Sequence, residues 1–85
     1  MTEVLAVFRS RAQAMDCNSR LRGARVAASL VNTPKEANIG CGLSIKFSSV
    51  NLPRVRTVIK SAGYSAFFGF YNVNNIYGRT VFSRL

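Results

Sequence analysis

Apolar and polar residues in the first third of the chain predict a buried strand followed by a helix. Residues 3–8, EVLAVF, form a short run of β-forming apolar residues, which is typical of a buried strand. Ser10 follows, and Gln13 lies three residues further on, which is the spacing of a helix capping box. The helix then runs to Gly23. Its apolar positions share one helical stripe: Ala14, Cys17 and Leu21.

The middle of the chain predicts two more strands, a second helix and a fourth strand. Residues 25–31, RVAASLV, favour a strand, and residues 43–48, LSIKFS, alternate apolar and polar positions as a half-buried strand does. Asn51 is suited to cap the next helix, which Gly63 ends. Residues 64–71, YSAFFGFY, are strongly β-forming.

The resulting order is β-α-β-β-α-β, which predicts a ferredoxin-like α+β fold. In that fold a four-stranded antiparallel sheet carries both helices on one face. We assign residues 1–72 to this domain and residues 73–85 to a C-terminal extension. The extension is apolar enough to dock. It could add an edge strand, cover the open sheet face or pair with a second subunit in a homodimer, and the sequence does not choose among these.

Length and charge narrow the class of protein. The 85 residues suffice for one domain, and no apolar run approaches the ~18 residues of a membrane span. The N-terminus places an acid before the apolar run and arginines after it, which is the reverse of a secretory signal, so we expect a cytoplasmic protein. Twelve Lys and Arg against three acids give a net charge of +9, which favours anionic partners.

Cysteine and histidine content limits the chemistry. The chain has two cysteines and no histidine, so a Cys/His or Ser/His catalytic pair is excluded. Two thiols without histidine are too few for a tetrahedral zinc site within one chain, and we expect no metal or other cofactor. Cys17 lies on the apolar stripe of the first helix and is expected to be buried. Cys41 differs, because it lies between Gly40 and Gly42 in a predicted loop.

The predicted topology places the Cys41 loop at the end of the sheet where the first helix begins. Arg9, Ser10 and Arg11 would therefore lie near the thiol, as would Gly63 and Tyr64. Two arginines and the free N–H groups of a helix start supply positive potential, which favours thiolate over thiol. Flanking glycines leave the sulfur accessible. The alternative is a tight turn in which a small residue is merely tolerated.

Two segments, VFRSRAQAM and VNTPKEANIGCGLSIKF, resemble a family of small bacterial domains called putative selenium/sulfur carrier-like proteins. The resemblance spans roughly residues 4–70. It implies a non-enzymatic carrier that holds a persulfide or selenium adduct on Cys41 and exchanges it with donor and acceptor proteins. It further implies that Gly40 and Gly42 frame the thiol and that Thr33 and Pro34 shape the loop. The high basic charge and the extension beyond residue 72 depart from the family pattern.

Two other functions stay open. One is a basic nucleic-acid-binding module, because the RNA-recognition fold has the same order of elements. That reading is not favoured, since the third strand carries Ser44, Lys46 and Ser48 outward, where stacking aromatics are expected. The other is a structural or regulatory subunit that pairs through its C-terminal extension at a sheet edge.

Overall fold

The computed structural model describes residues 2–33 and 42–85, which form an α+β unit with an antiparallel sheet. The elements in chain order are β1 (Glu3–Phe8), α1 (Arg11–Gly23), β2 (Ala28–Asn32), β3 (Leu43–Ser48), α2 (Leu52–Ala62), β4 (Phe67–Ile76) and β5 (Arg79–Arg84). A short 3₁₀ turn, Ser49–Asn51, precedes α2.

The sheet of the described residues has five strands in the order β2-β3-β1-β4-β5. The prediction of a four-stranded sheet is therefore wrong, because part of the C-terminal extension forms β5 along the edge of β4. β1 lies at the centre and pairs antiparallel with β3 on one side and β4 on the other. Leu5, for example, lies opposite Lys46 and Tyr71.

A two-residue turn joins β4 to β5. Tyr77 and Gly78 have φ angles of 51° and 77°, and positive φ at both central residues is typical of the type I′ hairpin turn. The turn matches the twist of the strands it connects, so pairing with β5 extends β4 to Ile76, five residues beyond the predicted end at residue 71. β4 also begins later than predicted, at Phe67, because residues 64–66 form the connection from α2.

Both helices pack on one face of the sheet. Cys17 and Leu21 from α1 and Val55 from α2 are fully buried against the same side of β1 and β3. The opposite face carries a smaller apolar cluster around Leu5, which is 2% exposed although neither α1 nor α2 lies on that face. Neither α1 nor α2, the α-helices of the described residues, is long and apolar enough to cross a membrane.

Contacts at the two ends of α1 explain where the helix starts and where β2 begins. Ser10 caps the helix as predicted, since its side-chain oxygen accepts a hydrogen bond from the Gln13 amide at 3.2 Å. The last helical residue is Gly23, but Arg25 takes the left-handed conformation, with φ of 60°. The amide of Val26 then donates to the Leu21 carbonyl at 2.9 Å, closing the helix end. β2 consequently begins at residue 28 and not at 25.

Side chains of α1 hold the connection between α2 and β4. The Tyr64 hydroxyl donates to the Asp16 carboxylate at 2.6 Å, and Arg20 donates to the same oxygen at 2.9 Å. These two hydrogen bonds, that of Tyr64 first, hold the pKa of Asp16 below its ordinary value. The Gln13 side chain accepts from the Ala66 amide at 2.8 Å. α1 therefore fixes the start of β4 through polar contacts as well as through the core.

The Asp16 contacts predict a specific loss of stability in acid. The folded pKa of Asp16 lies below the ordinary 3.8, so its contribution is complete above that value and is lost as pH falls through the folded pKa. Urea unfolding followed from pH 6 to pH 2 should show Tyr64→Phe losing less stability on acidification than the unmutated chain. Asp16→Asn should remove this component altogether. An acid-unfolding curve identical in all three proteins would contradict the assignment.

Candidate functional site

The structure describes the residues on either side of the predicted thiol loop. Cys41, Gly40 and Pro34 lie outside the described residues, whereas Thr33 and Gly42 lie within them. The Thr33 amide donates to the Gly42 carbonyl at 3.1 Å, which continues the β2–β3 ladder one pair beyond Asn32 and Leu43. The Thr33 hydroxyl also contacts the Ser44 hydroxyl at 2.8 Å.

Gly42 lies directly against the end of β1. A Cβ atom built on Gly42 would overlap the carbonyl oxygen of Phe8 and would lie 3.8 Å from the Arg9 Cα. The neighbouring atoms belong to backbone inside a paired sheet, so they cannot move aside as a flexible side chain would. Glycine at residue 42 thus permits a close approach between the start of β3 and the end of β1.

The three residues that were predicted to stabilise a thiolate follow directly after the end of β1. Arg9 follows β1 directly, and its amide donates to the Ala66 carbonyl of the segment before β4 at 2.9 Å. Ser10 is the N-cap of α1, and Arg11 is its exposed first residue. The structure thereby brings Gly42, Arg9 and the N-terminus of α1 to one end of the sheet.

The Arg9 guanidinium lies 4.4 Å from the centroid of the Phe68 ring. That distance is within the range of a cation–π contact. Arg84 of β5 lies 5.2 Å from the same ring, and it donates to the Phe68 carbonyl at 3.0 Å. Arg84 was not predicted at this site, because its position depends on the fifth strand. No sequence spacing connects Arg84 to Arg9, which is 75 residues away along the chain.

Cys17 is unsuited to nucleophilic chemistry. Its side chain is fully buried in the core between α1 and the sheet. Burial, helped by the charge of Asp16, raises the pKa of the Cys17 thiol to about 11. The thiol is therefore protonated at neutral pH and inaccessible, in agreement with the prediction of a buried structural residue. Within residues 2–33 and 42–85, no group of three His, Cys, Asp or Glu side chains is arranged to hold a metal ion.

The family described as Putative Se/S carrier protein-like matches residues 3–68. The chain belongs to this family. The match begins with β1, contains the whole connection between Thr33 and Gly42, and ends inside β4. Most of β4 and all of β5 in this Se/S carrier-like chain therefore lie beyond the matched region. No curated protein and no solved structure is similar enough to the chain to match it.

The close approach at Gly42 predicts the effect of adding one methyl group in this Se/S carrier-like protein. Gly42→Ala should reduce the free energy of unfolding by about 1–3 kcal/mol, since the methyl group would overlap the Phe8 carbonyl. Gly23→Ala is the matched control, because a Cβ there meets nothing within 4 Å, and it should be neutral or stabilising by up to ~1 kcal/mol. Urea unfolding measures both. Equal stability of the two variants would contradict the geometry at Gly42.

Proposed function

We propose that the protein is a sulfur or selenium carrier that holds a persulfide-type adduct on Cys41 and passes it between partner proteins. The observation that carries this proposal is the family match, which spans Cys41. The burial of Cys17 supports the proposal, because it leaves Cys41 as the other cysteine of the sequence and keeps the Cys17 thiol away from partner proteins. A carrier needs one accessible nucleophilic sulfur and a docking surface, and it needs no turnover site of its own.

The transfer step requires no oxidant. The Cys41 thiolate attacks the outer sulfur of a donor persulfide, so a new S–S bond forms on Cys41 while the donor's own S–S bond breaks. The donor cysteine leaves as a thiolate and keeps the electron pair of the broken S–S bond. The outer sulfur moves to Cys41 together with the proton it carries. The same attack by an acceptor thiolate then unloads Cys41. A selenium adduct would be exchanged in the same way.

The surroundings of Gly42 support an ionised sulfur at the preceding residue. Chain connectivity keeps the Cα of Cys41 about 3.8 Å from the Cα of Gly42. Gly42 in turn lies against Phe8 and Arg9 at the start of α1. We propose that Arg9, Arg11 and the N–H groups beginning at Ser10 stabilise the thiolate and the persulfide anion. Gly40 would leave the sulfur open, while Thr33 and Pro34 would set the direction of the loop.

We further propose that the core is ferredoxin-like, with the fifth strand added at its edge. The strand order β2-β3-β1-β4 and the shared helix face support this assignment. In this proposal residues 1–72 form the carrier domain and residues 73–85 an extension that could also pair with a second copy in a homodimer. We place the protein in the cytoplasm of a bacterium, where donor and acceptor proteins for a persulfide would meet it.

Nucleic-acid binding is the second candidate, and the net charge of +9 and the order of elements shared with the RNA-recognition fold favour it. On the face opposite α1 and α2, β1 and β3 carry Leu5, Val7, Ser44 and Lys46, and none of these is a stacking ring. The first three are buried as well. Rings on that face, such as Phe68, lie under arginines. A single strand needs exposed rings on which to stack its bases, so we do not propose this function.

The carrier proposal predicts sulfur loading at one position. Incubation with a cysteine desulfurase and cysteine, followed by intact-protein mass spectrometry, should show a mass increase of one sulfur atom. Cys17→Ser should load equally well, and Cys41→Ser should not load. The proposal fails if the unmutated chain takes up no sulfur, or if the adduct maps to Cys17.

Stabilisation of the Cys41 thiolate by nearby arginines predicts that this thiol ionises at a lower pH than an ordinary cysteine does. The rate of iodoacetamide alkylation of Cys41, measured against pH in the Cys17→Ser background, should have its midpoint below the ~8.5 of an ordinary cysteine. Arg9→Gln should raise that midpoint by up to about one unit. Arg22→Gln is the control, because Arg22 lies in the last turn of α1, roughly 18 Å from Ser10 along the helix, and it should leave the midpoint unchanged. A midpoint of 8.5 or higher in the unmutated sequence would refute thiolate stabilisation.

A further inference from the structure

An open groove of about 670 Å³ runs between α2 and β4, on the helix side of the sheet. Its apolar lining includes Leu52 at the start of α2, Tyr64 beyond its end, and the rings of Phe67 and Phe70 on β4. The groove follows the full length of α2, whose 11 residues span roughly 16 Å. It is therefore elongated along a helix axis, with a wall of helix and a floor of sheet.

The sheet beyond this groove is not covered by either helix of the described residues. α1 packs against β1, β2 and β3, and α2 lies beside α1. Three large apolar side chains point to the helix side from β4, from β5 and from the residue that follows β5: Ile76, Val81 and Leu85. Their side follows from the register, since Val81 lies opposite Asn74 and the Leu85 amide donates to Phe70. They are 49%, 39% and 49% exposed. By the same register Asn72, Asn74 and Ser83 lie on this side too, so the face beside the groove carries three exposed apolar side chains among short polar ones.

Both charged side chains that line the groove are positive. Arg56 and Lys60 are four residues apart on the α2 wall, and the Arg56 guanidinium lies 5.6 Å from the centroid of the Phe70 ring. Arg79 lies opposite Ile76 at the far edge of the uncovered face. Residues 37–85 contain no Asp or Glu, so no acid of α2, β4 or β5 can neutralise these cations. An apolar surface between cations fits an apolar partner surface flanked by carboxylates.

We infer that the groove and the adjoining face of β5 bind an amphipathic, acidic helix of another protein. Such a helix would lie beside α2 as a third helix of the layer, its apolar stripe on Phe67, Phe70 and Val81. Carboxylates four residues apart on the helix would match the spacing of Arg56 and Lys60.

A second copy of the chain cannot supply this helix. The three acids of the sequence are Glu3, Asp16 and Glu36. α2 contains none of them, and α1 contains only Asp16, whose carboxylate is bound by Arg20 and Tyr64. Two such basic helices would repel each other across the groove. The inference does not depend on Cys41, because the groove is lined by other residues.

The test uses a synthetic amphipathic peptide of about 18 residues, built from Leu, Ala and Glu, with leucines at helical spacing and glutamates beside them. Titrated into the full ¹⁵N-labelled chain, it should bind with a Kd on the order of 10 μM. The amide shifts should concentrate at Thr57, Gly63 and Tyr64 and along β5. A Lys-for-Glu version of the peptide should not bind.

Variants separate this site from general charge attraction. Arg56→Gln with Lys60→Gln should weaken binding roughly tenfold, and Val81→Asp should weaken it further. Arg22→Gln removes a charge on α1 and should change affinity by less than about twofold. Cys41→Ser should bind as the unmutated chain does, whether or not Cys41 loads sulfur. The inference is overturned if both peptides bind equally, if the shifts map outside the groove and β5, or if decanoate binds there and the peptide does not.

Discussion

The contact between Gly42 and the Phe8 carbonyl is the constraint on which the arrangement of this protein depends. It fixes the beginning of β3 against the end of β1, at the point where Arg9 and α1 follow. Thr33 closes the other side by pairing with Gly42. Both ends of the connection that contains Cys41 are therefore held at the N-terminus of a helix, which is the part of a helix that favours negative charge. Because Gly42 has no side chain, β3 can begin close to Arg9 and the start of α1, which supply the positive potential of the proposed carrier site.

The fifth strand makes the sheet wider than the two helices can cover. Strands lie about 4.8 Å apart, so five strands are roughly 19 Å from edge to edge, measured between the outer strands. The two helices pack over the β2, β3 and β1 side of the sheet and leave the β4–β5 edge with exposed apolar residues on one face. The same strand supplies Arg84 to the Phe68 ring on the other face. One short hairpin therefore adds a cation near Arg9 and creates the uncovered surface beside α2.

Local patterns in the sequence were sufficient to predict much of this fold. The alternation in residues 43–48 matches β3 to the residue, and the Ser10–Gln13 spacing gives the start of α1. The start of β2 was missed because Arg25, a residue without glycine's freedom, takes the left-handed position that ends α1. The fifth strand could not be chosen from the sequence, since edge pairing depends on a neighbouring strand and not on local pattern. The Gly42 contact was likewise beyond prediction, because its partner is a backbone oxygen 34 residues away.

We propose that Cys41 lies at the end of the sheet where α1 begins. A nitroxide spin label on Cys41, in a Cys17→Ala background, tests it directly through paramagnetic broadening of amide signals. We expect strong broadening at Arg9, Ser10 and Tyr64, which lie at that end, and none at Thr2 and Ser49, which pair with each other at the opposite end. Broadening centred on Thr2 and Ser49, or spread evenly over both ends, would show that Cys41 does not lie beside the start of α1.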